Sequence, residues 1–284
     1  MHKPLKAESS INGSSPELVI ADPAGNITAL VSGPVADRAA LAHRIMADKA
    51  LKVEQVGFVT EPDGEAQKLW RLEMSGGEFC GNAARSFGLY VAGLSGLSGK
   101  HTVFIEISGM KGSIPVRVDT ETGTAEVEMP GPAAEKAIEY EGRSLPVIVF
   151  DGITHVIAPG FKPAEKMFYG VKEIIEAEAP PPEALGLLFW DEEGRQMIPL
   201  VYVYAAETLV FESSCGSGSA ALGAWLSRNA ADSGKGRVEH CFSLRQPGGT
   251  IETRVNMEHG LVRSVSIGGK VTLAKAARIT GLVR

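Results

Sequence analysis

Cysteine is scarce in this chain, and long apolar runs are absent. Three cysteines occur, Cys80, Cys215 and Cys241, and an odd number at wide spacing argues against a disulfide framework and against a CxxC metal site. We therefore expect reduced thiols and no bound metal, since the six histidines show no ligand spacing either. No window reaches the roughly 18 apolar residues of a membrane span. The N-terminus lacks the apolar stretch of a secretory signal, so we expect a cytoplasmic protein with no membrane partner.

Basic residues are also fewer than acidic residues. Lys and Arg number 28 against 34 Asp and Glu, which gives a net charge of −6 and a pI of about 5.6. The basic residues form no runs, so the charge pattern argues against nucleic acid or an anionic membrane as a partner and favours a small molecule. The 284 residues, 44% hydrophobic and 22% charged, predict an ordinary globular protein of about two domains at roughly 150 residues each.

Short alternating or β-branched segments predict a strand-rich chain with four helices. The predicted strands cover residues 26–32, 53–60, 68–74, 102–108, 114–119, 125–129, 146–157, 184–190, 198–204, 209–212, 238–244, 250–255 and 261–267. The predicted helices cover residues 36–50, 81–94, 163–177 and 216–231. This mixture indicates an α/β (α+β) fold class.

The two halves of the chain repeat one plan. In the first half, the strand KLWRLEM leads to Cys80, a helix, a further strand and the segment GSIPVRV. In the second half, the strand TLVFE leads to Cys215, a helix, a further strand and the segment GTIETRV. The composition shift at residues 129–132 marks the join, which predicts one domain over 1–129 and another over 130–271.

Both repeated cysteines stand at a predicted helix N-terminus. Unpaired amide N–H groups and the helix dipole favour a thiolate there, which predicts a thiol pKa below the ordinary value of about 8.5. Gly81 and Gly216, which follow the cysteines, leave room for a ligand whose carboxylate the same N–H groups would hold. If the repeat brings the thiols to opposite sides of a substrate Cα, Cys80 and Cys215 form an acid and base pair that inverts a stereocentre.

Simpler interpretations of these cysteines stay open. Free cysteine is often a buried core residue, and a protein that binds a small molecule without catalysis would fit the same motifs. Thiols that lie close enough would also form a disulfide when oxidised. Cys241, within the strand-like segment HCFSL, is interpreted as a structural residue that points into a core.

The segments SGGEFCGNAARS and ESSCGSGSAALGA resemble the cysteine motifs of the diaminopimelate epimerase-like racemases, which use no pyridoxal phosphate. The resemblance implies two pseudo-symmetric domains, each with a curved, largely antiparallel sheet or barrel wrapped around a central helix. It also implies an isomerase that needs no cofactor, a C-terminal strand over 272–284 that returns to the first domain, and a homodimer.

The same resemblance implies roles for individual residues. Cys80 and Cys215 would be the catalytic pair. The carboxylate end of an amino-acid substrate would be bound by Gly81, Asn82, Gly216 and Ser217. Asn26, in the AGN turn, matches a substrate-binding asparagine of the family.

Departures from the epimerase pattern bear on the substrate. The Glu-Arg-Gly segment that epimerases place before the second cysteine is absent, and Ile153 stands where an asparagine is expected. The segments DPAGNITALV, EQVGFV, MSGGEFCGNA, SCGSGSA and RQPGGTI are instead similar to the histidine racemases of staphylopine-type opine metallophore biosynthesis. We therefore expect conversion of L-histidine to D-histidine, with diaminopimelate epimerase or a racemase for another amino acid as the alternatives.

Four further residues are candidates for substrate binding. Glu54 is a carboxylate that would pair with a basic side chain such as imidazole, and it is otherwise a solvated glutamate at a strand end. Gln55, the next residue, would likewise either contact the substrate or be a solvated residue at the strand end. His155 would orient the substrate or assist proton movement, or would be a core histidine. Glu212, three residues before Cys215, would hold the substrate ammonium group or would simply end a strand.

Overall fold

The computed structural model describes residues 16–64, 68–230 and 236–275. The strands are β1 Glu17–Asp22, β2 Thr28–Ser32, β3 Gln55–Thr60, β4 Arg71–Met74, β5 Lys100–Ile107, β6 Ser113–Asp119, β7 Thr124–Met129, β8 Ala134–Tyr140, β9 Arg143–Val149, β10 Ile153–Pro159, β11 Ala184–Asp191, β12 Gln196–Val203, β13 Thr208–Phe211, β14 Arg237–Gln246, β15 Gly249–Glu258, β16 Leu261–Lys270 and β17 Thr272–Lys275. The helices are α1 Arg38–Ala47, α2 Gly81–Leu94, α3 Glu165–Glu178 and α4 Gly216–Arg228, and a short 3-10 turn spans Tyr204–Ala206.

The chain forms two compact units. The first runs to Val127 and resumes at Gly268, and the second is Glu128–Ile267. Strand β17 belongs to the first unit, where it pairs antiparallel with β1. The remainder of the predicted returning segment, residues 276–284, lies outside the described residues.

The two units repeat one succession of strand pairings. In the first, β2 and β3 are parallel, β3 and β4 antiparallel, β4 and β5 parallel, and β5 and β6 antiparallel. In the second, β10 and β11 are parallel, β11 and β12 antiparallel, β12 and β14 parallel, and β14 and β15 antiparallel. Parallel neighbours require a crossover connection. Helix α2 lies in one such crossover and α4 in the matching one, so each cysteine begins a crossover helix.

Both crossover helices are buried on nearly all sides. Every residue of α2 from Gly81 to Ala92 is buried, and α4 buries nine of its residues in the same way. A helix with no solvated face is a core element. Small residues let the sheet approach closely: a Cβ on Gly88 would lie 2.5 Å from Val116 of β6, and one on Gly223 would lie 2.5 Å from Thr253 of β15.

The other two helices are amphipathic and cover their sheets from one side. Helix α1 packs Leu41 and Ile45 in one hydrophobic cluster with Val31 and Phe58. Helix α3 packs Phe168 and Val171 among the buried side chains of β10 and β11. Among the described residues, no helix is long and apolar enough to cross a membrane.

The structure corrects several sequence predictions. Strands β1 and β8 were not predicted, and the single strand predicted over 146–157 is the hairpin of β9 and β10, whose turn uses Gly152 at φ 81°. The interpretation of Cys241 as a core residue is wrong, because its side chain is exposed. Alternation along β14 places Leu244 and Gln246 in the core. Cys241 has the opposite parity and therefore faces solvent.

Replacing Gly88 with alanine will destabilise the first unit by about 1 to 3 kcal/mol, because the new methyl group would lie 2.5 Å from Val116 Cγ1. Gly93→Ala, in the same helix, is the matched control, since no described atom lies within 4 Å of its new methyl group. That change will stabilise the helix by up to about 1 kcal/mol. Denaturant unfolding measures both, and equal effects would contradict the packing described.

Candidate active site

Each cysteine caps its helix through the sulfur atom. The backbone angles of Cys80 are φ −124° and ψ 114°, and those of Cys215 are φ −124° and ψ 115°. The amide of Ala83 donates to Cys80 Sγ at 3.4 Å, and the amide of Gly218 donates to Cys215 Sγ at 3.4 Å. A side-chain acceptor at this position satisfies one of the free donors of the first helical turn. The two thiols therefore have the same local geometry.

Residues directly after β5 hold the loop before Cys80 in place. Ser108 Oγ donates to the carbonyl of Glu78 at 3.0 Å and accepts from the amide of Met74 at 2.9 Å. Gly109 has φ 75°, and a Cβ there would overlap the backbone of Phe79. A side chain at this position would therefore displace the residues that lead into Cys80.

The end of β14, which corresponds to the end of β5 in the first unit, holds the loop before Cys215. Gln246 Oε1 accepts from the amide of Cys215 at 2.8 Å, and Gln246 Nε2 donates to Ser219 Oγ at 2.8 Å. The amide of Gly248 donates to the carbonyl of Ser213 at 2.7 Å. Sequence reasoning missed these residues and Ser108, although each lies at the strand end that closes the repeated motif.

Side-chain amides surround Cys80. Gln55 Nε2 lies 3.2 Å from Cys80 Sγ and 2.6 Å from Asn26 Oδ1. Asn82 Nδ2 donates to the same Asn26 oxygen at 3.2 Å, and Asn26 Nδ2 donates to Glu54 Oε2 at 2.9 Å. The structure thus brings the four predicted residues Asn26, Glu54, Gln55 and Asn82 into one network with Cys80, and Gly81 begins the helix beside them.

Arg85 is a member of this network that sequence reasoning missed. Its side chain is fully buried, and its Nε donates to Asn82 Oδ1 at 3.1 Å. Two backbone carbonyls, those of Pro23 and Lys270, accept from the terminal nitrogens at 2.7 Å and 3.4 Å. The available signal was its place in a helix that is otherwise small or apolar, since a buried arginine needs acceptors to offset its lost hydration.

A hydroxyl and an imidazole lie next to Cys215. Ser217 Oγ lies 3.5 Å from Cys215 Sγ and 2.9 Å from His155 Nε2. The ring of His155 is buried, and a Cβ on Gly186 would overlap it. Gly186, which sequence reasoning also missed, therefore makes room for the imidazole. Of the predicted residues, the structure groups His155, Glu212 and Ser217 with Cys215, and Gly216 begins the helix.

The predicted lowering of the thiol pKa values is wrong in its net direction. Burial raises the pKa of Cys80, although the Ala83 amide and the Gln55 side chain oppose it. Burial raises the pKa of Cys215 well above its ordinary value, and the Glu212 carboxylate adds to this. The helix amides act in the direction expected, but desolvation of the sulfur outweighs them.

Within the described residues, no group of three or more His, Cys, Asp or Glu side chains is arranged to hold a metal ion.

Solved structures share this fold. The chain superposes on a predicted epimerase from Pseudomonas aeruginosa with a TM-score of 0.65 and 16% identity, over 93% of this chain and 100% of the other. It superposes on a methylitaconate-delta-isomerase with a TM-score of 0.53 and 10% identity, over 95% of this chain and 97% of the other. These matches confirm the predicted α/β (α+β), diaminopimelate epimerase-like fold class.

Sequence comparison identifies the family. The histidine racemase CntK N-terminal domain matches residues 17–279. A histidine racemase of Fusobacterium nucleatum is 32% identical over 73% of this chain and 80% of its own length. A histidine racemase of Staphylococcus aureus is 27% identical over 88% of this chain and 92% of its own length. The chain belongs to the histidine racemase family, which confirms the predicted resemblance and the assignment as an isomerase.

Acid will destabilise the protein through His155. Burial lowers the pKa of His155 to about 3 from an ordinary 6.5, so between these pH values the unfolded chain binds a proton that the folded chain does not. Stability is therefore lost as the pH falls from 6.5 towards 3, by about 3 kcal/mol between pH 7 and pH 4. Denaturant unfolding at several pH values measures the loss.

His155→Gln removes this titration while keeping a polar partner for Ser217, so its stability will fall less with acid than that of the wild type. His101→Gln, at an exposed position, controls for the loss of an imidazole elsewhere. Parallel pH profiles of the wild type and His155→Gln would contradict the assignment.

Proposed function

We propose that this protein interconverts L-histidine and D-histidine, with Cys80 and Cys215 as the acid and base. The observation that carries the proposal is the pair of cysteine caps with the same backbone angles and the same amide donor distance. Two equivalent thiols suit a reaction in which the same chemistry is performed from either side of one carbon. The relatives from Fusobacterium nucleatum and Staphylococcus aureus are histidine racemases, which supports histidine as the substrate.

In the proposed reaction, one cysteine as thiolate takes the α-proton and becomes a thiol. The electron pair of the broken C–H bond is delocalised into the substrate carboxylate, and the other thiol gives its proton to the opposite face of Cα. The roles reverse for the other enantiomer. The chemistry requires that both sulfurs reach the same carbon from opposite sides.

The carbanionic intermediate needs stabilisation without an imine cofactor. Amide N–H groups at a helix start are positioned donors for a carboxylate on which negative charge develops. We assign this role to the first turns of α2 and α4, at Gly81 and Asn82 and at Gly216 and Ser217. Burial of the surroundings strengthens these interactions, because a low dielectric increases the effect of each donor.

Glu54 is the proposed partner of the substrate imidazole. Its carboxylate is exposed and is held by Asn26 Nδ2 at 2.9 Å. A fixed carboxylate prefers the protonated ring, whose ordinary pKa is about 6.5. Glu212 is the proposed partner of the substrate ammonium group, since a carboxylate beside Cys215 complements a cation attached to Cα.

Other expectations accompany this function. Two reactive thiols need a reducing compartment, which supports a cytoplasmic location. A homodimer and a role in metallophore biosynthesis are proposed from the family resemblance alone.

In deuterated buffer, the purified protein will place deuterium at Cα of L-histidine and form D-histidine, as followed by mass spectrometry and chiral chromatography. Cys80→Ser and Cys215→Ser will each lower racemisation at least about a hundredfold, since each removes one acid–base group. Cys241→Ser, at an exposed cysteine, is the matched control and will retain activity.

Three outcomes would contradict the histidine assignment or the mechanism. Deuterium incorporation into LL-diaminopimelate or another amino acid, and not into histidine, would show a different substrate. Full turnover by either serine variant would show that the thiols are not the acid and base, and a wild type inactive on all amino acids would favour a binding protein.

Glu54→Gln will raise KM for L-histidine about three- to tenfold at pH 6 and less at pH 8, because the carboxylate binds imidazolium better than neutral imidazole. The amide keeps an acceptor for Asn26, so kcat will change little. Initial rates at the two pH values measure the difference. An equal change in KM at both would show that Glu54 does not contact the ring.

A further inference from the structure

We propose that Arg85 is a positioning residue that makes Cys80 the thiol that ionises first, by turning a chain of side-chain amides so that an N–H meets the sulfur. The inference rests on the proposed function, because it assigns the base of the resting enzyme.

Arg85 fixes the first amide of the chain. Its guanidinium has donors only, so the atom of Asn82 that lies 3.1 Å from Arg85 Nε is the amide oxygen. The other two contacts of Arg85 are backbone carbonyls, which hold the guanidinium in place. Burial lowers the pKa of Arg85 only to about 10, and the side chain therefore stays charged at neutral pH.

The orientation of Asn82 determines that of Asn26. With its oxygen on Arg85, Asn82 presents its NH2 group to Asn26, whose oxygen accepts at 3.2 Å. Asn26 then presents its own NH2 group to Glu54, which accepts at 2.9 Å. A buried cation and an exposed carboxylate thus end the chain, and every amide dipole between them points in one direction. Such a chain is mutually reinforcing, because each bond polarises the next.

Gln55 transmits this direction to Cys80. Since Asn26 shows an oxygen, Gln55 meets it with its NH2 group at 2.6 Å. The same nitrogen lies 3.2 Å from Cys80 Sγ and 3.1 Å from Thr28 Oγ1. A thiolate is an acceptor only, so an N–H donor favours the ionised sulfur. With the amides reversed, a carbonyl oxygen would face the sulfur and would favour the thiol.

Charges around Cys80 act in both directions. Arg85 on α2 attracts the thiolate, while Glu78 in the preceding loop opposes it. Glu54 lies beyond Asn26 at the start of β3, and Asp22 at the end of β1 acts on Arg85. Two N–H groups reach the sulfur directly, that of Gln55 at 3.2 Å and the backbone amide of Ala83 at 3.4 Å. The Cys80 thiol also lies 3.9 Å from Asn26 Oδ1, a longer contact that favours the protonated sulfur and that the closer Gln55 donor opposes.

The second unit lacks this device. Five residues after Cys215 stands Ala220, where Arg85 follows Cys80 at the same interval. Gln246 turns its oxygen to the backbone amide of Cys215 at 2.8 Å and its nitrogen to Ser219. The carboxylate of Glu212 lies near Cys215 and opposes ionisation. Cys80 is therefore the thiol that ionises first, and Cys215 is the thiol that keeps its proton longer.

The test measures ionisation of Cys80 without turnover. The rate of alkylation of Cys80 by iodoacetamide is followed against pH, with the modified peptide resolved by mass spectrometry, because the thiolate is the reactive form. In Gln55→Met and Arg85→Met the pH midpoint will rise by about one unit, which lowers the alkylation rate below the midpoint about tenfold. Arg85→Lys, which restores a cation but not the fork of donors, will shift the midpoint less.

Gln246→Met is the matched control, since it removes a buried amide that touches the backbone and not the sulfur of Cys215. It will leave the Cys80 midpoint unchanged. If Arg85→Met does not fold, Asn82→Met breaks the chain while keeping the guanidinium, and the same rise is expected. An unchanged midpoint in Gln55→Met, or in a folded variant of Arg85 or Asn82, would overturn the proposal.

Failure of this proposal is distinguishable from failure of the proposed function. Alkylation requires no substrate, so raised midpoints together with no deuterium exchange on histidine would retain the role of Arg85 and reject the substrate. Normal deuterium exchange on histidine with unchanged midpoints would retain the substrate and reject the role of Arg85.

Discussion

The hydrogen bond from a helix amide to a cysteine sulfur determines where each reactive group of this protein lies. Both helices begin inside the protein, where their first amides have little access to water. The sulfur of Cys80 satisfies the amide of Ala83, and that of Cys215 satisfies Gly218, at the same distance of 3.4 Å. The atom that caps the helix is therefore also the atom proposed to carry the proton, and its position follows from that of the crossover helix.

One scaffold holds two different electrostatic environments. Cys80 is surrounded by amides and a buried guanidinium, whereas Cys215 lies beside a carboxylate and a hydroxyl bonded to a neutral imidazole. This difference leaves the equilibrium between enantiomers unchanged, since that equilibrium belongs to the substrate. It changes only which protonation state of the free enzyme predominates. One enantiomer therefore binds an enzyme whose two cysteines already have the protonation states that its reaction requires.

Much of the candidate site could be predicted from the sequence, because local signals sufficed for it. The repeat identified Cys80 and Cys215, and a glycine after each showed where a helix starts. The roles of Arg85, Gln246 and Gly186 were missed, since they depend on partners far along the chain. The direction of the thiol pKa values was also missed, because burial of a sulfur depends on tertiary packing. Cys241 was misplaced because the short segment around it was assigned the wrong parity: Val238, Phe242 and Leu244 alternate on the less exposed side of β14, which leaves Cys241 facing solvent.

The contact between Gly186 and His155 constrains how this protein can evolve. A single added carbon at Gly186 would overlap the imidazole, so the two positions cannot vary independently. A lineage that acquires alanine at 186 must first have replaced His155 by a smaller residue, while the opposite order passes through an overpacked intermediate. The accessible route therefore gives up the imidazole before the glycine, and homologues that keep a histidine here should also keep a glycine on the adjacent strand.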